Sequence, residues 1–204
     1  MKSLFLMLFG FCVGCLPALA QDNSPDTLIK SVTDDVLTIV RQDQDIKSGN
    51  TQKAIDLVEA KVLPHFDFQR MTALAVGRDW NKATPEQKQQ LAEEFKTLLV
   101  RTYSNALTEY KNQTVRYEPT RMQAGDTDVV VRSKVLQPGG QPIQLDYSVE
   151  KKADGWKVYD VIVAGVSLVT NYRATFNREV SANGVDGLLK MLADKNQQLA
   201  ASQQ

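Results

Sequence analysis

The stretch Gly155–Phe176 reads "GWKVYDVIVAGVSLVTNYRATF", and its periodicity changes partway along. Up to Val166 it is a strand that turns continuously apolar at its end, which implies burial on both sides there. From Ser167 onward Leu168, Val169, Tyr172, Phe176 and Val180 recur at helical spacing, and Ser167 is placed to cap that helix. A sheet and a helix therefore part company at the turn Gly165–Ser167.

Upstream of this junction the period is 2. In "IQLDYSVEKK", residues 143–152, Ile143, Leu145, Tyr147 and Val149 alternate with Gln144, Asp146, Ser148 and Glu150, the pattern of a strand with one wet face. "TDVVVRSKV" alternates through Val129, Val131 and Val135, and "VRYEPT" supplies an earlier strand. "QPGGQP" and Asp154-Gly155 are hairpin signals between them. The pattern predicts a four-stranded antiparallel meander.

Helices flank the strands on both sides. Leu28, Ile29, Val32, Val36, Ile39 and Val40 mark an amphipathic helix that Ser24 and Pro25 can start. A shorter one carries Ala54, Ile55, Val58 and Val62 and stops before Pro64. "HFDFQRMTALAVG" allows a third, which Asp67 can cap and Gly77 ends. Thr84 and Gln87 form a capping box, with Pro85 in the first turn, for the longest, which spans about seven turns at 3.6 residues each from Pro85 and carries a stripe of Leu91, Phe95, Leu98, Leu99, Ala106, Leu107 and Tyr110. Beyond the junction, Asn183 and Gly184 break the chain before a last helix around Leu188, Leu189 and Leu192, and "NQQLAASQQ" reads as a frayed tail. The fold class is α+β, with about six helices packed on the apolar face of the sheet. One sheet face cannot cover so many stripes, so some apolar surface lies against other helices or lines a cavity.

The first twenty of the 204 residues, "MKSLFLMLFGFCVGCLPALA", combine Lys2, an apolar run from Leu4 to Val13, and small residues at Ala18 and Ala20. That is a secretory leader, expected to be cleaved after Ala20, and its apolar run is too short to span a bilayer. Residues 21–204 are then a single exported domain. Both cysteines, Cys12 and Cys15, fall inside the leader, so the remainder has no disulfide, thiol nucleophile or thiolate ligand. Lys plus Arg and Asp plus Glu both number 24, and a chain so balanced lacks the basic footprint of a nucleic-acid binder.

Catalytic spacing is absent as well. His65 is the one histidine and has no partner at metal-binding or nucleophile-activating spacing, so it reads as a loop residue. Asp126 and Asp128 begin like a calcium loop that nothing downstream completes. Trp80, Tyr103, Trp156 and Tyr172 lie on or beside apolar stripes, as core aromatics or as cavity walls. Arg101 and Arg173 sit among apolar neighbours, either solvated or able to meet a phosphate.

Three blocks, "VLPHFDFQRMTALAVGRDW", "ATPEQKQQLAEEFKTLLVRTYSNAL" and "GWKVYDVIVAGVSLVTNYRATF", together resemble the MlaC or toluene-tolerance auxiliary family, over about Asp26 to Leu192. The resemblance implies a soluble periplasmic carrier that holds a phospholipid by its acyl chains, with no catalytic residue, metal or cofactor. It implies exchange between an inner-membrane ABC transporter with its MCE-domain subunit and an outer-membrane lipoprotein–porin complex. Tails would lie between the sheet and the helices. Matching signature positions are Gly165, Ser167, Leu168, Asn171, Tyr172, Arg173 and Phe176, with Phe66, Trp80, Leu98, Leu99 and Tyr103 in the earlier blocks. Met71, Leu74, Val76, Phe95 and Val169 from helices, and Tyr147, Val149, Val161, Val163 and Val166 from the strands and their end, complete the expected lipid contacts. Arg101 and Arg173 are the head-group candidates, and a Trp at Val163 or Leu168 is expected to block loading.

Two other classes stay open at this point. A small-substrate enzyme of cone-shaped α+β fold needs an inward acid, and Asp160 is the only strand acid whose direction the alternation leaves unassigned. A chaperone or scaffold would have a filled core.

Overall fold

The computed structural model describes residues 24–203. The expected leader and its cleavage point after Ala20 lie outside these residues.

Helix α1 (Pro25–Gln42) starts as its sequence predicts, with the Ser24 hydroxyl accepting from the Thr27 N–H at 3.2 Å and Pro25 in the first turn. Asp43 ends it and caps the single turn α2 (Gln44–Lys47), its carboxylate accepting from the N–H groups of Asp45 and Ile46 at 2.9 and 3.0 Å. Periodicity does not detect so short a helix. Helix α3 (Thr51–Lys61) is capped by Asn50, and Asp67 caps α4 (Phe68–Val76) through the Arg70 N–H at 2.8 Å. Helix α5 (Pro85–Tyr103) opens with the reciprocal Thr84–Gln87 pair at 2.9 and 3.2 Å.

Helix α5 stops at Tyr103, short of the expected Tyr110, and the chain tightens into a 3-10 turn over Ser104–Leu107. No glycine or proline announces this. The Thr108 hydroxyl bonds back to the Asn105 carbonyl at 2.8 Å, the local competition by which threonine and asparagine draw backbone out of a helix. Leu107 and Tyr110 are thereby turned off the α5 stripe.

The sheet has strands β1 (Thr114–Tyr117), β2 (Asp128–Leu136), β3 (Ile143–Lys152), β4 (Gly155–Val163) and β5 (Val166–Ser167), antiparallel and in chain order. That is five strands, not four. The expected fourth strand does not run on to Val166, because Ala164 and Gly165 have φ of 51° and 84° and reverse the chain, pairing Val166 with Val163. Positive φ at both central residues is what a two-residue hairpin turn demands.

Ser167 caps α6 (Leu168–Ser202), accepting from the Thr170 N–H at 3.0 Å. Gly184 breaks the helical path at φ 72° and ψ −173°, where the sequence places the interruption. The C-terminal segment is not frayed: α6 runs to Ser202, buried Asn196 donates to the Glu94 carbonyl at 2.9 Å, and Gln203 donates to the Arg101 carbonyl at 2.8 Å.

Register places Val129, Val131, Ser133 and Val135 opposite Val149, Tyr147, Leu145 and Ile143, all on one inner face, with Val161 and Val163 beside Tyr147 and Leu145. Between Ser148 and Val149 the register shifts, and the extra residue Tyr159 leaves that face. Its hydroxyl donates to Asp128 at 2.7 Å, with the Arg70 guanidinium 3.5 Å above its ring.

The helices divide between two partners. Ile29 of α1 packs on the inner face with Val129, Val131, Val149, Trp156 and Val158. Helices α4, α5 and α6 bury their stripes mainly in one another, through Met71, Val76, Leu91, Phe95, Val169, Phe176 and Leu188. This bundle flanks the β4 edge, where the Asp67 N–H donates to the Val158 carbonyl at 2.8 Å.

Candidate functional site

Beyond the Ile29 contact, α1 and the inner sheet face enclose a cavity of about 370 Å³. Helix α1 contributes Leu28, Ile29, Val32, Thr33, Val36 and Leu37, a double-width stripe over three turns and so about 13 Å long. The sheet contributes Val115, Val135, Ile143, Leu145, Tyr147 and Val158. One side is closed by Val62, His65 and Phe66 ahead of α4, the other by Ala106, Leu107 and Tyr110 after α5. Gln113 and Gln137 complete the lining.

The polar atoms near this space are mostly engaged elsewhere. Thr33 donates to the Ile29 carbonyl at 2.7 Å and Ser133 to the Leu145 carbonyl at 2.7 Å. Burial, then the neighbouring Tyr117, pushes the Tyr147 phenol well above its ordinary range, so it stays neutral. Burial and then Lys157 hold His65 below its usual value, which keeps the imidazole uncharged near pH 7. Lys157 itself donates to the Pro64 carbonyl and pairs with Asp154, both at 2.9 Å. The lining residues thus place no net charge on the cavity wall, which suits hydrocarbon and disfavours ions.

Asp160 does not face the cavity. Its carboxylate accepts from the Ser167 hydroxyl and the Val169 N–H at 2.5 and 3.2 Å, serving the start of α6. Among the described residues, no group of three or more His, Cys, Asp or Glu side chains is arranged to hold a metal.

Of the lipid contacts expected from sequence, Phe66 and Tyr147 line this cavity. Val149 and Val161 share its sheet face, in the packed region beside Ile29. Val163 pairs with Leu145 and Val166 at the end of the sheet, and Val166 is 56% exposed. Met71, Val76, Phe95, Leu98, Leu99, Val169 and Phe176 are buried in the α4–α5–α6 core, with Leu74, Trp80 and Tyr172 packed against it. Leu168 is half-buried at the start of α6, and Tyr103 is 41% exposed at the end of α5. Leu98, Tyr172 and Phe176 also border a second hollow of about 570 Å³ between α5 and α6, where Thr102, Asn171, Thr175 and Lys195 bring polar groups to the wall. Arg173 donates twice to the Leu74 carbonyl, at 2.9 and 3.1 Å, and Arg101 lies against Gln203 at 3.5 Å. Neither arginine borders the α1 cavity.

Sequence reasoning missed the α1 wall, although its stripe is plain, and missed Leu107 and Tyr110 because it kept them in α5. The signal available was the surplus of apolar stripes over sheet face.

The comparisons agree with this architecture. A crystallised phospholipid-binding protein from Ralstonia solanacearum, in complex with a phospholipid, superposes with a TM-score of 0.80 at 48% identity, covering 86% of this chain and 98% of its own. The toluene tolerance protein ttg2D of Pseudomonas putida is 28% identical over 186 residues, 91% of this chain and 84% of that protein. The intermembrane phospholipid transport system binding protein MlaC of Haemophilus influenzae is 24% identical over 186 residues, 89% and 87% of the two chains. The family model described as "MlaC protein" matches residues 30–194, and so the chain belongs to the MlaC family.

Proposed function

We propose that this protein is a soluble periplasmic phospholipid carrier, exported with a leader removed after Ala20 and folded as one lipid-binding domain over residues 21–204. The observation that carries the proposal is the uncharged, apolar cavity between α1 and the sheet. Acyl chains enter along α1 and touch Phe66 and Tyr147, while the helical-core candidates such as Phe95 and Phe176 lie in a core separate from the cavity. The phospholipid bound by the Ralstonia relative supports the ligand class. The name of the Haemophilus relative, an intermembrane phospholipid transport system binding protein, supports a place in lipid transport. The partners we propose for that transport are an inner-membrane ABC transporter with its MCE-domain subunit and an outer-membrane lipoprotein–porin complex. Binding and handover, not catalysis, are the activity.

Energetics favour such a site. Two sixteen-carbon tails contain about 30 methylenes, and at roughly 0.8 kcal/mol each their shelter from water is worth on the order of 25 kcal/mol. Donor and acceptor sites are apolar too, so the carrier must match them rather than exceed them, since each 1.4 kcal/mol or so of excess slows release about tenfold. Walls of Leu, Ile and Val, without directional bonds to the tails, suit that requirement. At roughly 30 Å³ per methylene, about the share of a water molecule, 370 Å³ accommodates about a dozen methylenes. Full loading therefore lifts α1 outward. Asp26, accepting from the Thr120 hydroxyl at 2.5 Å, and Arg41, donating to the Tyr110 hydroxyl at 2.8 Å, tie it to the facing elements at its two ends.

The test is solvent extraction of the purified protein followed by mass spectrometry, with Leu145→Trp as the blocked variant. Wild type should release stoichiometric phospholipid and folded Leu145→Trp little or none. A wild-type protein that stays empty after exposure to phosphatidylglycerol vesicles would sink the proposal, and a fully loaded, folded Leu145→Trp would move the tails elsewhere.

A further inference from the structure

The polar end of the ligand needs a residue to receive it, and neither Arg101 nor Arg173 borders the cavity. At one end of the cavity, however, polar groups gather. Gln113 precedes β1 and Gln137 follows β2, flanking the last ladder pair Thr114–Leu136. Both line the cavity together with Tyr110. The Tyr110 hydroxyl donates to the Gln113 carbonyl at 3.1 Å and accepts from Arg41 Nε at 2.8 Å. The Gln113 side-chain oxygen is taken by the Lys111 N–H at 2.5 Å, which leaves its amide nitrogen to donate.

Arg41 is the cation of this rim. It is exposed at the end of α1, and among the described residues it forms no ion pair. Its Nε is fixed on Tyr110 and its guanidinium lies 5.7 Å from that ring, so the side chain is held while both terminal nitrogens remain to donate. A guanidinium held by one edge is suited to grip a phosphate by the other. At the opposite end, around Leu28, Phe66 and Val158, the nearby Lys157 and Lys152 are already paired, with Asp154 and with Asp67 and Glu150 respectively.

We infer that the ligand's polar end leaves the cavity at the Tyr110–Gln113–Gln137 rim, and that Arg41 recognises a lipid-borne phosphate there. Arg41 is then a specificity determinant that favours phosphorylated diacyl lipids over neutral ones. This rests on the proposal that acyl chains fill the α1 cavity.

The experiment offers the protein vesicles with equal fractions of phosphatidylglycerol and a diacylglycerol of the same chains, and reads the bound ratio by native mass spectrometry. Wild type should favour phosphatidylglycerol. Arg41→Gln should lower that preference about fivefold, the scale of one solvent-accessible charge-assisted hydrogen bond, at unchanged total occupancy, with Arg41→Lys in between. An unchanged ratio, or equal loss of both lipids, would overturn the inference, the latter by making Arg41 a structural support for Tyr110. Leu145→Trp should exclude both lipids; if it excludes neither, the cavity proposal itself fails, whatever Arg41 does. Inorganic phosphate alone should give no Arg41-dependent change in Tm. A shift as large as that from phosphatidylglycerol would make this a free-anion site and overturn the lipid assignment.

Discussion

The carboxylate of Asp160 on β4 accepts a hydrogen bond from the backbone N–H of Val169 at 3.2 Å and another from the Ser167 hydroxyl at 2.5 Å. An acid that could have served catalysis is instead committed to the first turn of α6, across the reversal at Ala164 and Gly165. Asp160→Ala should destabilise the protein by about 1–2 kcal/mol, the usual scale for a lost cap and its hydrogen bonds, with Asp160→Asn milder. Urea unfolding measures this, and lipid content should be unchanged. Loss of lipid at undiminished stability would give Asp160 a role at the site after all.

Gly184 occupies φ 72° and ψ −173°, a region in which only glycine is at ease, and a Cβ there would meet no atom within 4 Å. The cost of Gly184→Ala is therefore one of backbone strain alone, about 1–3 kcal/mol. A denaturation midpoint equal to wild type would mean that α6 straightens through this position without penalty.

Phe176 is the hinge of an aromatic cluster, 5.2 Å from Phe95 and 5.5 Å from Tyr172. Burial, then Tyr103, pushes the Tyr172 phenol up to about 12. Phe176→Ala should lose about 3–5 kcal/mol, the range for deleting a buried ring. Lipid bound per folded molecule should persist, because this cluster is separate from the α1 cavity. Selective loss of lipid with stability intact would bring the tails into the helical core.

Acid should weaken the fold in two steps. Burial works against ionising Asp67, but the Lys152 ammonium at 2.7 Å and the Arg70 N–H at 2.8 Å outweigh it and hold the carboxyl below its ordinary 3.8. A depressed acid stabilises the fold above its ordinary value, and that contribution disappears as pH falls through the lower, folded value. His65, held below its ordinary 6.5 by burial and Lys157, acts sooner: the unfolded chain takes up its proton first, so stability declines as pH drops below 6.5. In a pH series of urea midpoints, His65→Phe should flatten the limb that begins as pH falls below 6.5, and Asp67→Asn the limb below about pH 4. An unaltered pH dependence in both variants would assign the acid sensitivity to other groups.

Local order was legible in the sequence because its causes are local. Ser24, Asp67, Thr84 with Gln87, and Ser167 cap the helices they were expected to cap, and Gly184 interrupts the chain where it was expected to. Alternation through Ile143, Leu145, Tyr147 and Val149 identified the inner sheet face. The two-residue strand β5 and the early end of α5 were not legible: Gly165 marks a turn without saying that the chain pairs back on Val163, and no glycine or proline marks the end of α5.

The division of the apolar stripes was a tertiary decision. Phe95 on α5 and Val32 on α1 have the same helical periodicity, yet Phe95 is enclosed by Tyr172 and Phe176 while Val32 faces the cavity. Leu107 continues the α5 stripe in sequence and lines the cavity in space. Periodicity records that a side chain leaves water, because that is where most of its free energy lies. It does not record what the side chain meets, because a methyl group against another side chain and one against a lipid tail are nearly equivalent to the chain that carries them.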